Sequence, residues 1–217
     1  LGFGEYTLGR YDDAINSFGR AVAKYPAYAN SHWYIALSQY FRGKEHDVKA
    51  AASFRRYAEE DQTGFAQMVN SSAQNKAYPG RLLGRLYAAG KFEAAADLAE
   101  ARLMADETDP LLWNDVGLMN RDAGEHVMRA KIEEPRKSAE EYYERSWAAY
   151  QVAIELDRKP QYLNDGAVLL HYYLKRDSDK AIAMYDEAEA MALKMLEKGD
   201  FASGEKPVVE IALRDSR

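Results

Sequence analysis

Cysteine is absent from the 217 residues, which excludes a disulfide framework, a thiolate metal site and a cysteine nucleophile. That absence suits cytoplasm and periplasm equally, so the compartment stays open. Long hydrophobic runs are missing as well. The longest nearly unbroken apolar stretch, Ala167 to Leu174, is interrupted by His171 and falls far below the about 18 residues of a membrane-spanning helix. Nor is there a basic surplus, since 29 Lys and Arg face 35 Asp and Glu for a net charge of −6. Nucleic-acid surfaces collect cationic charge, so no nucleic-acid partner is expected. Proline (6) and glycine (14) are scarce and β-branched residues sparse, whereas Ala, Leu, Glu, Lys and Arg abound. These are helix formers, and the expected fold class is all-α. With 47% hydrophobic residues the chain can bury a sizeable core. It opens at Leu1 without a basic segment leading into an apolar run, which points to a processed form or a piece of something longer.

Internal repetition organises the chain. Gly9-Arg10-Tyr11-Asp12-Asp13-Ala14 is echoed by Gly90-Lys91-Phe92-Glu93-Ala94-Ala95, and the second half of the first copy, which ends at Pro26, returns in Ser146 to Ile154, ending at Pro160. The shared signature is a small residue, a ring four positions later, Ala three after that, and Pro about five further on. Small residues at i and i+7 let a neighbouring helix approach, the ring between them fills the gap, and Pro begins the next helix where its missing N–H is harmless.

The pattern resembles the tetratricopeptide repeat, a helix-turn-helix unit that stacks into a right-handed α-solenoid. Laid on this chain, the resemblance implies five units at about 1–28, 29–60, 76–109, 110–160 and 161–198. Gly9, Tyr11, Ala14, Phe18 and Pro26 mark the first. Ile35, Ala36, Ala50 and Phe54 mark the second, and Leu82, Gly90, Phe92 and Ala95 the third. Trp113, Gly117, Ser146 and Tyr150 mark the fourth, and Ala167, Tyr172, Ala181 and Tyr185 the fifth. Three segments depart from it. Residues 61–75, polar with scattered Phe65, Met68 and Val69, read as an inter-repeat loop with at most one helical turn. Residues 125–141 read as an insertion outside the repeat core, with Pro135 breaking any helix begun at His126. Residues 199–217 read as a C-terminal loop and a capping helix started by Pro207.

Catalytic motifs are missing: there is no Gly-x-Ser-x-Gly elbow, no P-loop and no His-Glu-x-x-His, and the four histidines lie far apart in sequence. No enzyme activity, cofactor or metal is therefore expected, and attention turns to surfaces. By the resemblance, a concave groove lined by each unit's first helix holds a partner peptide or helix. The positions it assigns there include Asn30, Trp33, Leu37, Tyr40 and Phe41, then Tyr87, then Asn114, Leu118, Arg121 and Asp122, then Asn164. An Asn amide there offers an extended peptide both a donor and an acceptor. Two plainer readings stand beside this one. Trp33, Tyr40 and Tyr87 at helical spacing suit packing between paired helices, and the dipeptides Asn114-Asp115 and Asn164-Asp165 suit helix capping or first-turn charge. The expected function is a protein-interaction scaffold without chemistry of its own. Its rivals are a docking segment of a larger enzyme or assembly, and self-association through the terminal repeats.

Overall fold

The computed structural model describes residues 1–199, 201 and 205–215, and every regular element among them is helical. The chain divides into two compact units, Leu1–Glu107 and Thr108–Arg217.

The first unit holds α1 (Gly2–Thr7), α2 (Tyr11–Lys24), α3 (Ser31–Arg42), α4 (Asp47–Glu60), α5 (Gln62–Asn70), α6 (Ala73–Ala88) and α7 (Phe92–Leu103). The helices α1/α2, α3/α4 and α6/α7 pair as consecutive hairpins. Gly9 and Gly90, which open the matching sequence copies, both take left-handed φ values of 71° and 68° at the turns of the first and third hairpins. A side chain is strained in that conformation, so glycine ends one helix and lets the next begin. Trp33 is 1% exposed; its ring lies edge-on to Phe54 of α4 at 4.9 Å and to Phe65 of α5 at 6.2 Å. Each such buried side chain contributes roughly 1.5–3 kcal/mol.

Residues 61–75 are not the expected loop. Nine of them form α5, started by Asp61, whose Oδ1 accepts the Gly64 N–H at 2.9 Å, and Phe65, Met68 and Val69 line one face at helical spacing. Phe65 and Val69 are buried. Ser72 then caps α6 through the Asn75 N–H. Losing the cap of so short a helix exposes unpaired amides, so Asp61→Ala is expected to destabilise the protein by about 1 kcal/mol in urea denaturation. An unchanged midpoint would mean that tertiary packing alone holds α5.

The second unit holds α8 (Pro110–Ala130), α9 (Ala139–Leu156), α10 (Pro160–Val168, continued by one π turn at Leu169–Leu174), α11 (Ser178–Lys198) and α12 (Glu205–Asp215). Proline opens α8 and α10, where no intrahelical N–H bond is lost. A reciprocal Ser138–Glu141 capping box opens α9. The stretch 125–141 again differs from expectation. Rather than breaking at His126, α8 runs on to Ala130 and ends at a left-handed Lys131, with Pro135 falling in the loop before α9. Nor does the segment stand clear of the core: Val127 is buried, Ala139 packs on the core around Tyr143 and Trp147, and the Tyr143 hydroxyl reaches the Met128 sulfur at 3.6 Å. The extra residues lengthen two paired helices. At the C-terminus, positions 200 and 202–204 of the expected loop lie outside the described residues. The last helix starts at Glu205, two residues before Pro207, and buries Val209 and Ala212 in packing against α10 and α11.

Candidate functional site

Small residues set how closely the helices approach. A Cβ built on Gly117 of α8 would lie 2.5 Å from the Tyr150 ring of α9, and one on Gly166 of α10 2.8 Å from the Met184 methyl of α11. Tyr150 is fully buried, and Ser146 of α9 donates its hydroxyl proton to the Gly117 carbonyl at 2.7 Å. A glycine on one helix received by a ring of its hairpin partner is the contact the repeat signature implies. The fold is an all-α array of helical hairpins. Among solved structures the chain is similar to MamA, at 16% identity over 91% of this chain and 97% of that one, with a TM-score of 0.44. It is also similar to a thermophilic tetratricopeptide-repeat protein of Thermus thermophilus (17%, 100% and 95%, 0.37) and to PilF of Pseudomonas aeruginosa (16%, 100% and 85%, 0.37). No family model and no curated protein matches the sequence.

The residues expected in a groove fall in both units. In the first, Trp33 lies in the core and has no surface to offer; of the two readings of this residue, the packing one holds, because its indole closes the space between α3, α4 and α5. Tyr40 is half-buried, with the Arg85 guanidinium 4.4 Å over its ring and Tyr78 edge-on at 5.7 Å. Arg85 is itself engaged, its Nε donating to Asp47 at 2.9 Å, and burial holds the Asp47 carboxyl above its ordinary range against that ion pair. Phe41 is 40% exposed and stacks on Tyr11 at 5.7 Å. Tyr87 is equally exposed, edge-on to Phe92 across the hairpin turn. Asn30 is exposed just before α3, makes no capping bond, and lines a cleft of about 440 Å³ with Tyr57, Gly64 and Met68.

In the second unit the expected residues meet a denser polar environment. With α8 beginning at Pro110 and α10 at Pro160, Asn114, Asp115, Asn164 and Asp165 all lie beyond the first turn, so the capping alternative fails; Asp109 caps α8 instead, through the Leu111 N–H. Arg121 donates its Nε–H to Asp122 at 2.8 Å and lies 5.9 Å from the Tyr173 ring, whose hydroxyl reaches Glu125 at 3.4 Å. Burial works against the Arg121 charge, yet Tyr150, Asp122 and Asp165 around it hold its pKa above the ordinary value. Burial likewise pushes the Asp165 carboxyl from 3.8 up to about 6, with Arg121 opposing the rise while Asp122 and Asp215 of α12 add to it. Burial, then Asp165, keeps the Tyr150 hydroxyl protonated, well above its ordinary range.

Two features stand out. Asp165 is half-buried and makes no hydrogen bond or ion pair with any described residue. The Oδ1 atoms of Asn114, Asn120 and Asn164 are buried without a donor; Asn120 still donates its own amide to the Val116 carbonyl at 2.9 Å. Unmet buried acceptors cost about 1–3 kcal/mol each, and groups with displaced pKa values tend to gather at functional sites. The sequence expectation named Asn114, Arg121 and Asn164 for a groove and Asp165 only within a capping dipeptide; the displacement of Asp165 arises from burial and from Asp122 and Asp215 on other helices. Among the described residues no three His, Cys, Asp or Glu side chains converge as metal ligands, and no helix is long and apolar enough to cross a membrane.

Proposed function

We propose that the protein is an interaction scaffold, and that the face of α8 and α10 bearing Asn114, Arg121 and Asn164 holds a segment of a partner protein. The observation that carries this reading is the repetition of Asn114-Asp115 and Asn164-Asp165 at equivalent places of two first helices, beyond the first turn where capping would use them. An Asn amide offers an extended peptide both a donor and an acceptor, which is the support for placing a partner segment there. Arg121 serves this face from within. Held by Asp122 and set beside Tyr173, it fixes the arrangement, and its removal would leave recessed carboxylates facing one another. The cleaner probe is therefore the pair Asn114→Ala and Asn164→Ala, with circular dichroism checking that the space left at the buried Asn164 does not cost the fold. In affinity capture from a cell extract, the folded double variant is expected to lose at least one protein that the wild type retains, with an affinity drop of about tenfold or more. Equal retention of every captured protein would remove this face from consideration.

A further inference from the structure

We propose that the first unit carries a docking surface of its own, and that its occupant is a proline-rich segment of a partner protein in the polyproline II conformation. The proposal rests on the scaffold reading but on none of the residues of the α8 and α10 face. The surface is a continuous field of rings on α1, α2 and α3. Phe3 lies edge-on to Tyr34 at 5.5 Å, and Tyr34 to Tyr6 at 5.7 Å. Tyr6 is 6.1 Å from Tyr11, which stacks on Phe41 at 5.7 Å, and Tyr40 meets Phe41 edge-on at 5.3 Å. Phe3 and Phe41 are 56% and 40% exposed, and the tyrosines among these rings are half-buried. Adjoining rings that all keep part of their area in water form a patch, unlike the single apolar residues scattered over an ordinary surface.

Hydrogen-bonding groups select the occupant. The hydroxyls of Tyr6, Tyr11, Tyr34 and Tyr40 bond to no described residue, so each keeps a donor for a partner. Burial, then Tyr78, Tyr11 and Tyr34, push the Tyr6 hydroxyl up to about 12, and it holds its proton at neutral pH. The cations beside the rings are engaged: Arg85, over the Tyr40 ring, donates to Asp47, and Arg42 pairs with Asp12 at 3.0 Å. The surface thus offers ring faces and neutral O–H donors rather than a cation for a carboxylate or phosphate. A helical partner would meet those donors with carbonyls already bonded within its own helix. A proline-rich segment has unbonded carbonyls along its length, lacks the N–H at each proline, packs its pyrrolidine rings against aromatic faces, and is ordered before it binds.

The test is selection of a random twelve-residue peptide library on the full chain at pH 7.5. It runs in parallel on three double variants: Tyr11→Ala, Phe41→Ala; Tyr11→Phe, Tyr34→Phe; and Asn114→Ala, Asn164→Ala. Peptides recovered by the wild type and lost on the alanine ring variant are expected to be enriched in proline. A synthetic copy of one should bind the wild type about tenfold or more tightly than that variant, and equally to the asparagine variant. The Tyr→Phe pair keeps both rings and removes two hydroxyls, so it should weaken binding by about threefold or more, and it carries the test if circular dichroism shows that the alanine variant has lost helix. Ring-dependent peptides without proline enrichment, a leucine-spaced helical consensus among them, or proline peptides that bind the Tyr→Phe variant as tightly as the wild type, overturn the assignment. If only asparagine-dependent peptides are recovered, this surface falls and the α8 and α10 face stands; if no peptide depends on either set, both fall.

Discussion

Gly117→Ala is expected to destabilise the protein by about 3 kcal/mol, more than most single methyl additions. The added Cβ would sit 2.5–2.8 Å from three atoms of the Tyr150 ring, and Tyr150, fully buried, has no open side to move towards. Backbone shift is the only release, and it breaks the 2.7 Å bond from Ser146 to the Gly117 carbonyl. Gly84 is the control. It lies in the interior of α6, where a Cβ would meet nothing within 4 Å. Gly84→Ala should therefore stabilise by about 1 kcal/mol through helix propensity alone. Urea denaturation of the two variants gives opposite signs if close approach of α8 and α9 is what the glycine provides. A loss at Gly117 no larger than about 1 kcal/mol would mean that the hairpin tolerates a wider spacing.

The same contact explains what could be read from sequence. Gly117 and Tyr150 are separated by a lengthened turn, but each keeps its place in the repeat signature, because the interlock of a small residue with a ring depends only on register within each helix. Hairpin turns were legible for a similar reason, as Gly9 and Gly90 carry left-handed backbone that few other residues adopt. The segment 61–75 was misread because its polar composition outweighed a short apolar pattern. Phe65, Met68 and Val69 at i, i+3 and i+4, preceded by Asp61 as a cap, are the marks of a helix. Trp33 shows the complementary error. The family's register places it on a groove, but that register contains no α5; once Phe65 arrives from α5, the indole is sealed in the core.

The sequence offers the candidate residues only one helix at a time. Asn114 and Asn164 stand out as a repeated dipeptide, and Arg121 as a groove position. Nothing in the spacing of α10, however, indicates that Asp165 will be surrounded by Asp122 and Asp215 from α8 and α12, with Arg121 bonded elsewhere. Electrostatic crowding is a property of assembled helices. It is also what makes this carboxylate measurable by stability alone.

Asp165→Asn is expected to make the protein more stable at pH 7.5, by about 2 kcal/mol. The folded-state pKa of about 6 exceeds the ordinary 3.8, so the unfolded chain ionises this group more readily than the folded protein does. Below pH 3.8 both states hold the proton and there is no penalty. The favourable contribution of the protonated form is lost as pH rises from 3.8 to about 6, and above that the full cost remains. The rise from 3.8 to about 6 corresponds to at most about 3 kcal/mol; Asp165 is only half-buried, and solvent screening lowers this to about 2 kcal/mol. Asparagine keeps the shape and removes the charge. Its advantage should thus be full at pH 7.5, shrink between pH 6 and pH 4, and vanish below, as followed by urea midpoints at each pH. A gain of equal size at pH 4 and pH 7.5 would assign the effect to packing, and no gain at either would mean that Asp165 is solvated well enough to ionise normally.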